Sequence, residues 1–174
     1  MLTTQRLILK PGVLSDAPHL LDLNSDPEVV RYTGNARMLN LMDAEAVIKE
    51  KQIPDFEQYK MSRFSVFSKE GTYLGWCGLK YFPQTKEVDL GYRFKKSFWG
   101  KGFATEASRA CLEYGFEKLQ LPLIIAKAMP DNIGSIKVMQ KLGMTFKGFQ
   151  HDPTDPHPFL RYEITKDQYQ SCKE

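Results

Sequence analysis

Apolar positions along the chain recur in short blocks whose spacing marks individual elements. Arg6-Leu7-Ile8-Leu9-Lys10 is an apolar run stopped by Pro11-Gly12 and predicts a first strand. Ser15-Asp16 then caps a helix with Ala17, Leu20, Leu21 and Leu23 as its apolar positions. Asp26-Pro27-Glu28 opens a second, short helix, with Asp as N-cap and Pro at the first helical position, and this helix ends near Tyr32-Thr33-Gly34. Helical composition from Asp43 to Gln52 runs into Pro54, which is expected to interrupt or end that helix. Arg63 to Phe67 reads as a strand, Ser68-Lys69-Glu70-Gly71 as a hairpin turn and Tyr73 to Tyr81 as the partner strand, with Gly75 and Gly78 marking a bulge. Glu87 to Phe94 alternates polar and apolar and predicts another strand.

The second half becomes more helical. Phe103, Ala107, Ala110, Cys111 and Tyr114 fall on one helical face, and Leu123 to Met129 is a continuous apolar strand. Asn132 to Lys141 predicts a helix with Ile136, Met139 and Leu142 on one side and Gly143 as its C-terminal stop. Met144 to Gln150 and Phe159 to Thr165 predict two strands joined by a Pro-rich loop from Asp152 to Pro158, and Lys166 to Lys173 a last helical turn or two. The order predicts a mixed α/β domain with helices against one central sheet, spanning residues 1–174 as a single unit.

Composition narrows the function classes. With 174 residues, 42% hydrophobic and 26% charged, the chain can build its own core without a disulfide or metal. A formal charge of +3 with scattered Lys and Arg argues against a nucleic-acid partner. Cys77, Cys111 and Cys172 form no CxxC and predict free thiols in a reducing compartment. The opening residues carry no apolar signal region and no stretch reads as a membrane span, so a cytoplasmic location is expected. His19, His151 and His157 show no ligand spacing, so no metal is expected.

Candidate chemistry concentrates at one junction. The strand Asp89-Leu90-Gly91-Tyr92-Arg93-Phe94 leads through Trp99-Gly100-Lys101-Gly102-Phe103-Ala104 into a helix. The first N–H groups of a helix lack internal partners and, with the helix dipole, form an anion site. Small residues at Gly100, Gly102 and Ala104 would let a phosphate approach the main chain. The spacing is neither GxGxxG nor a P-loop, so on spacing alone a phosphate cradle and a plain structural turn both remain open.

The segment resembles motif A of the GNAT superfamily of N-acetyltransferases, Gln/Arg-x-x-Gly-x-Gly/Ala, with Trp99 standing where the family has Gln or Arg. Thr4 to Pro11 with Ser15-Asp16-Ala17 and Asp26-Pro27-Glu28-Val29 is similar to the opening of the ribosomal-protein N-acetyltransferase subgroup. Asn132 to Ser135 with Lys141-Leu142-Gly143-Met144 resembles its NxxS…KLGF motif, and Tyr162-Glu163-Ile164 its final strand. The resemblance implies a GNAT fold: a mixed, mostly antiparallel sheet of about seven strands with helices on both faces. It implies acetyl-CoA as co-substrate, with the diphosphate on Gly100, Lys101, Gly102, Phe103, Ala104 and Thr105, and the pantetheine along Tyr92, Phe94 and Asn132. The Tyr92 amide would polarise the acetyl carbonyl, Ser135 would hydrogen-bond the sulfur, and Met139 stands where many members place a proton-donating Tyr. Asp89 is the candidate general base, at a position where the subgroup commonly has Glu; its other readings are a solvated strand carboxylate or a partner for Arg93, and Glu87 is a weaker candidate of the same kind. The Arg93, Lys95, Lys96 and Lys101 cluster is either a 3′-phosphate attractor or a solvated loop.

The acceptor is expected to be an amine, with a protein N-terminal α-amine favoured, and a small amine or an inactive CoA-binding protein as alternatives. An α-amine has a pKa of about 7.7–8.0, against about 10.4 for lysine, so losing its proton near pH 7 costs about 1 rather than about 4 kcal/mol. Either a monomer or a homodimer is compatible with the sequence.

Overall fold

The structure is a computed structural model and describes residues 1–34, 37–152 and 155–171. Its strands are β1 (Leu2–Thr3), β2 (Leu7–Lys10), β3 (Arg63–Ser68), β4 (Tyr73–Phe82), β5 (Glu87–Phe94), β6 (Leu123–Ala128), β7 (Thr145–Asp152) and β8 (Asp155–Thr165). Its α-helices are α1 (Ala17–Ser25), α2 (Pro27–Val30), α3 (Leu41–Val47), α4 (Ile53–Tyr59), α5 (Phe103–Glu113), α6 (Ile133–Lys141) and α7 (Lys166–Ser171). The eight strands form one sheet in the order β1-β2-β3-β4-β5-β6-β8-β7, antiparallel except at β5–β6. One strand more than expected is present because β1 is only two residues long and is defined by its pairing with β2, which local pattern does not reveal.

Neighbouring residues of β4 show why both faces of the sheet are covered. Side chains of a strand alternate between faces. Trp76 packs into the cluster of Ala17, Leu20, Ala44 and Ile48 beneath α1 and α3. Cys77 points the other way, against α5, with its Sγ 3.7 Å from Cys111 Sγ and 3.6 Å from Ser108 Oγ. Cys77 and Cys111, distant in sequence, are therefore packed together as buried free thiols, and Cys172 lies outside the described residues.

Pro54 does not break the helical run from Leu41 to Tyr59. Between α3 and α4 the chain widens into a π-helical stretch, Ile48–Gln52, and the Ile53 amide donates to the Ile48 carbonyl. Pro54 then falls in the first turn of α4, directly after the register widens to i→i+5, and the run continues without the amide bond that a proline lacks. The Ser62 hydroxyl bonds the Gln52 carbonyl at 2.8 Å and ties this stretch to the start of β3. In the Pro-rich segment, β7 extends to Asp152 and β8 begins at Asp155, so the strands run further than expected, while Pro153 and Thr154 lie outside the described residues.

Candidate active site

β4 and β5 pair at eight positions, but β5 and β6 pair at one, Asp89 with Ile125. β6 instead keeps six pairs with β8 on its far side. Beyond Asp89 the two neighbouring strands part, and the main chain of β5 from Leu90 onward loses its ladder on that side. Two cavities, of about 540 and 690 Å³, meet in this notch and share Tyr92, Arg93, Asn132 and Ser135 as walls.

The smaller cavity runs along the turn into α5. The Trp99 indole donates to the Phe94 carbonyl at 2.7 Å, which pins the turn to the end of β5. This is the structural work of the Trp that stands at the Gln/Arg position. Gly100 (φ +73°) and Gly102 (φ +80°) both adopt the left-handed conformation that glycine tolerates best. Gly102 caps α5 without a side chain, and among the described residues none of the backbone N–H groups from Gly100 to Thr105 has a hydrogen-bond acceptor. Gly100, Gly102, Ala104 and Thr105 line the cavity, as do Tyr92 and Phe94.

Lys101 and Phe103 are not among the residues that line the cavity, and the Phe103 ring faces Arg6 behind the turn. The Arg6 guanidinium sits 4.3 Å from the Phe103 ring centroid and donates to the Lys101 carbonyl at 3.1 Å. Arg6 is itself held by Glu106: Nε to Oε2 at 2.7 Å and its own amide to Oε1 at 2.9 Å, while Thr4 Oγ1 donates to Oε1 at 2.6 Å. The N-terminal segment thus clamps the back of the turn. Burial pushes the Glu106 carboxyl up, but its bonds to Thr4 and Arg6 outweigh this and hold it below the usual range.

The facing wall is α6. Asn132 caps it, accepting from the Ser135 amide at 3.1 Å. Ser135 Oγ is 2.7 Å from the Tyr92 hydroxyl, which also reaches the Ser135 carbonyl at 3.1 Å. Ser135 is therefore bonded across the notch rather than only to its own helix. Burial raises the Tyr92 phenol well above its ordinary pKa, against the lowering by Ser135. The Tyr92 hydroxyl, as distinct from its amide, bridges the notch, a contact that sequence reading did not anticipate. Met139 is fully buried in the core. Lys137 and Lys141 line the cleft, which sequence reading also missed; their spacing of four on α6 was the available signal. Lys95 and Lys96 are instead paired with Asp22 (2.6 Å) and Glu28 (3.8 Å), and Lys101 lies over the Phe98 ring.

Asp89 and Arg93 line the larger cavity. Asp89 is not a partner of Arg93: its Oδ2 accepts from Arg63 Nη2, and Arg63 Nη1 bonds the Gly78 and Asp89 carbonyls. A Cβ at Gly91 would stand 2.6 Å from Arg63 Cζ, so the absence of a side chain there makes room for the guanidinium. Glu87 is bonded to Arg161 at 2.5 Å, and Arg161 also holds Glu163. Burial raises the Glu87 carboxyl, and the bonds from Arg161 and Thr85 more than reverse this. Arg93 donates to Asn24 Oδ1.

The splayed strands, the uncapped helix after them and the capped helix opposite form one cleft. The chain belongs to the GNAT family: the model of the acetyltransferase (GNAT) domain matches residues 6–145. It is an N-acetyltransferase by this membership and by its relatives. An uncharacterised N-acetyltransferase, p20, of Bacillus licheniformis is 35% identical over 154 residues, covering 87% of this chain and 85% of that protein. A GNAT-family acetyltransferase from Bacillus anthracis superposes with a TM-score of 0.81 at 25% identity, covering 95% and 98% of the two chains. Two more distant neighbours share the fold. One is a ribosomal L7/L12 α-N-protein acetyltransferase solved with coenzyme A (TM-score 0.78, 16% identity, 95% and 97% covered). The other is a Vibrio cholerae spermidine N-acetyltransferase solved with CoA and spermine (TM-score 0.79, 18% identity, 96% and 99% covered).

Proposed function

We propose that this chain transfers the acetyl group of acetyl-CoA directly to an α-amine, with a protein N-terminus as acceptor. The carrying observation is the row of unpartnered main-chain donors from Gly100 to Thr105, opening on the notch between β5 and β6. Such donors at a helix start suit a diphosphate. Lys137 and Lys141 add positive charge to the same cleft. Tyr92, Phe94 and Asn132 would hold the pantetheine arm. Acetyl-CoA supplies the thioester when bound.

The chain's own part in the chemistry is positioning, polarisation and proton delivery. The Tyr92 amide is assigned to the acetyl carbonyl, an oxyanion-type role. The Tyr92 hydroxyl, bonded to Ser135 Oγ, is assigned as the proton source for the departing sulfur, filling the role that Met139 cannot. Asp89 is engaged with Arg63 and Glu87 with Arg161, so neither offers a free carboxylate base. An acceptor that arrives largely neutral fits this arrangement, which favours an α-amine over a lysine or polyamine amine by about 3 kcal/mol of deprotonation.

Acetyl-CoA titration by calorimetry, followed by thiol release with short peptides, free amino acids and spermidine, tests this reading. Micromolar binding with turnover on α-amines supports it. Failure to bind at millimolar acetyl-CoA rejects it, and tight binding without thiol release for any amine would make the chain a CoA-binding protein instead.

A further inference from the structure

The larger cavity holds a partly buried cation for which the described residues supply no counterion. Arg93 is partly buried, lies 5.3 Å from the Trp76 ring centroid and, among the described residues, donates to one side chain, the neutral Asn24. Its Nε is buried with no hydrogen-bond partner among the described residues. A guanidinium carries five donors, and a buried one left without an acceptor is costly. The nearby carboxylates are committed elsewhere: Asp89 to Arg63, Asp22 to Lys95, Glu28 to Lys96, and Asp16 to Ser65. Arg63 lies over the same Trp76 ring at 5.5 Å, so two guanidinium groups share one indole. Their mutual repulsion adds to burial in drawing Arg93 down to about 10, which leaves it charged at neutral pH.

The rest of the wall has the same sign. Lys80 and Lys127 come from two strands and both lie over the Phe82 ring, at 5.3 and 5.8 Å. Lys51 joins them from the π-helical stretch, so five cations line the cavity against two carboxylates, Asp55 and Asp89. Such a wall attracts an anion and repels a polyamine.

Building on the proposed reaction, we infer that the acceptor carries a carboxylate close to its reacting amine, and that this carboxylate docks on Arg93. Arg93 follows Tyr92 directly and walls both cavities, so a group held there lies within a side chain's length of the point where they meet. Two sources share this chemistry: an acidic first residue of a peptide, or the carboxylate of a free amino acid. A guanidinium fork matches a carboxylate in two parallel bonds, which makes it selective as well as attractive.

Matched acceptors test it, with rates expressed per neutral amine. One pair is an amidated peptide beginning with Asp against the same peptide beginning with Asn; the other is alanine against alaninamide; spermidine is the fifth acceptor. The expected result is a preference of about tenfold or more in kcat/KM for the carboxylate member of one pair, carried mainly by KM, with spermidine the poorest. The pair that responds identifies the source. Arg93→Gln should reduce the preference within the responding pair to about threefold or less, read at saturating acetyl-CoA. Should Arg93→Gln not fold, Lys80→Gln and Lys127→Gln should each weaken the preference. Equal rates within both pairs, spermidine as the best acceptor, or a preference untouched by all three substitutions overturns the inference. Neutral α-amines turned over as well as acidic ones would sink this inference alone; no acetyl-CoA binding would sink the reading beneath it.

Discussion

The Tyr92 hydroxyl and Ser135 Oγ lie 2.7 Å apart across the notch and join the last free stretch of β5 to the first turn of α6. The contact places a protonated phenol at the meeting point of the two cavities. Tyr92→Phe should lower kcat by about ten- to hundredfold with little change in acetyl-CoA affinity. Because burial raises the phenol's pKa, the group keeps its proton throughout the usual assay range. Any alkaline fall in the wild-type pH–rate profile below pH 10 should therefore persist unchanged in Tyr92→Phe. A variant with full kcat removes Tyr92 as the donor.

Gly102→Glu tests the cradle. The position needs φ +80°, which costs a residue with a Cβ about 1–2 kcal/mol, and a Cβ there would stand 3.5 Å from Arg6 Nη2, so the new carboxylate would compete with Glu106 for the guanidinium that clamps the turn. Calorimetry should show acetyl-CoA affinity reduced by about tenfold or more through the strained turn and its disturbed clamp, while circular dichroism shows a folded protein with a modestly lowered Tm. Unchanged affinity would relocate the coenzyme.

Asp89→Asn separates positioning from proton abstraction. It leaves the largely buried Arg63 without its carboxylate, and breaking such a pair costs about 3–5 kcal/mol. Denaturant unfolding should report a loss of this size, and kcat per folded molecule should stay within about tenfold, since a general base contributes about a hundredfold or more. Gly91→Ala should destabilise through the same guanidinium, which its methyl group would displace. A large kcat loss in stable Asp89→Asn protein would reinstate the carboxylate as a base.

The clamp on the turn gives a pH dependence with a defined sign. Glu106 is held below its ordinary 4.5. A depressed carboxyl adds stability that is complete above the unfolded pKa and is lost as pH falls through the folded one. Acid unfolding of the wild type should therefore steepen below about pH 4.5, and Glu106→Gln should be less stable at pH 7 but flatter through that range. Arg6→Ala should weaken acetyl-CoA binding by about three- to tenfold, because the Lys101 carbonyl and the Phe103 ring lose their anchor. Identical acid limbs for wild type and Glu106→Gln would refute the linkage.

What could be read from the chain alone follows a physical divide. β5, α5 and α6 carry their own periodicity, and the observed β5 ends where alternation ends, at Glu87 and Phe94. Asn132 as a cap was legible because a cap is a local bond, here to an amide three residues on. Partners distant in sequence were not. Arg63 lies 26 residues from Asp89 and Arg6 lies 100 from Glu106, so local reading offers Arg93, and not Arg63, as one possible partner for Asp89. The helix through Pro54 eluded local reading for another reason: a single π-helical turn is too short to show a sequence period of its own, and it shifts where the next turn begins.

The lone rung between Asp89 and Ile125 makes the sheet two plates, β1 to β5 and β6 to β8, sharing one seam. Each plate is well laced internally, so loosening should concentrate at the seam rather than within either plate. A molecule lying in the opening would stitch the plates together. Coenzyme supply would then govern the mechanical unity of the protein as well as its turnover.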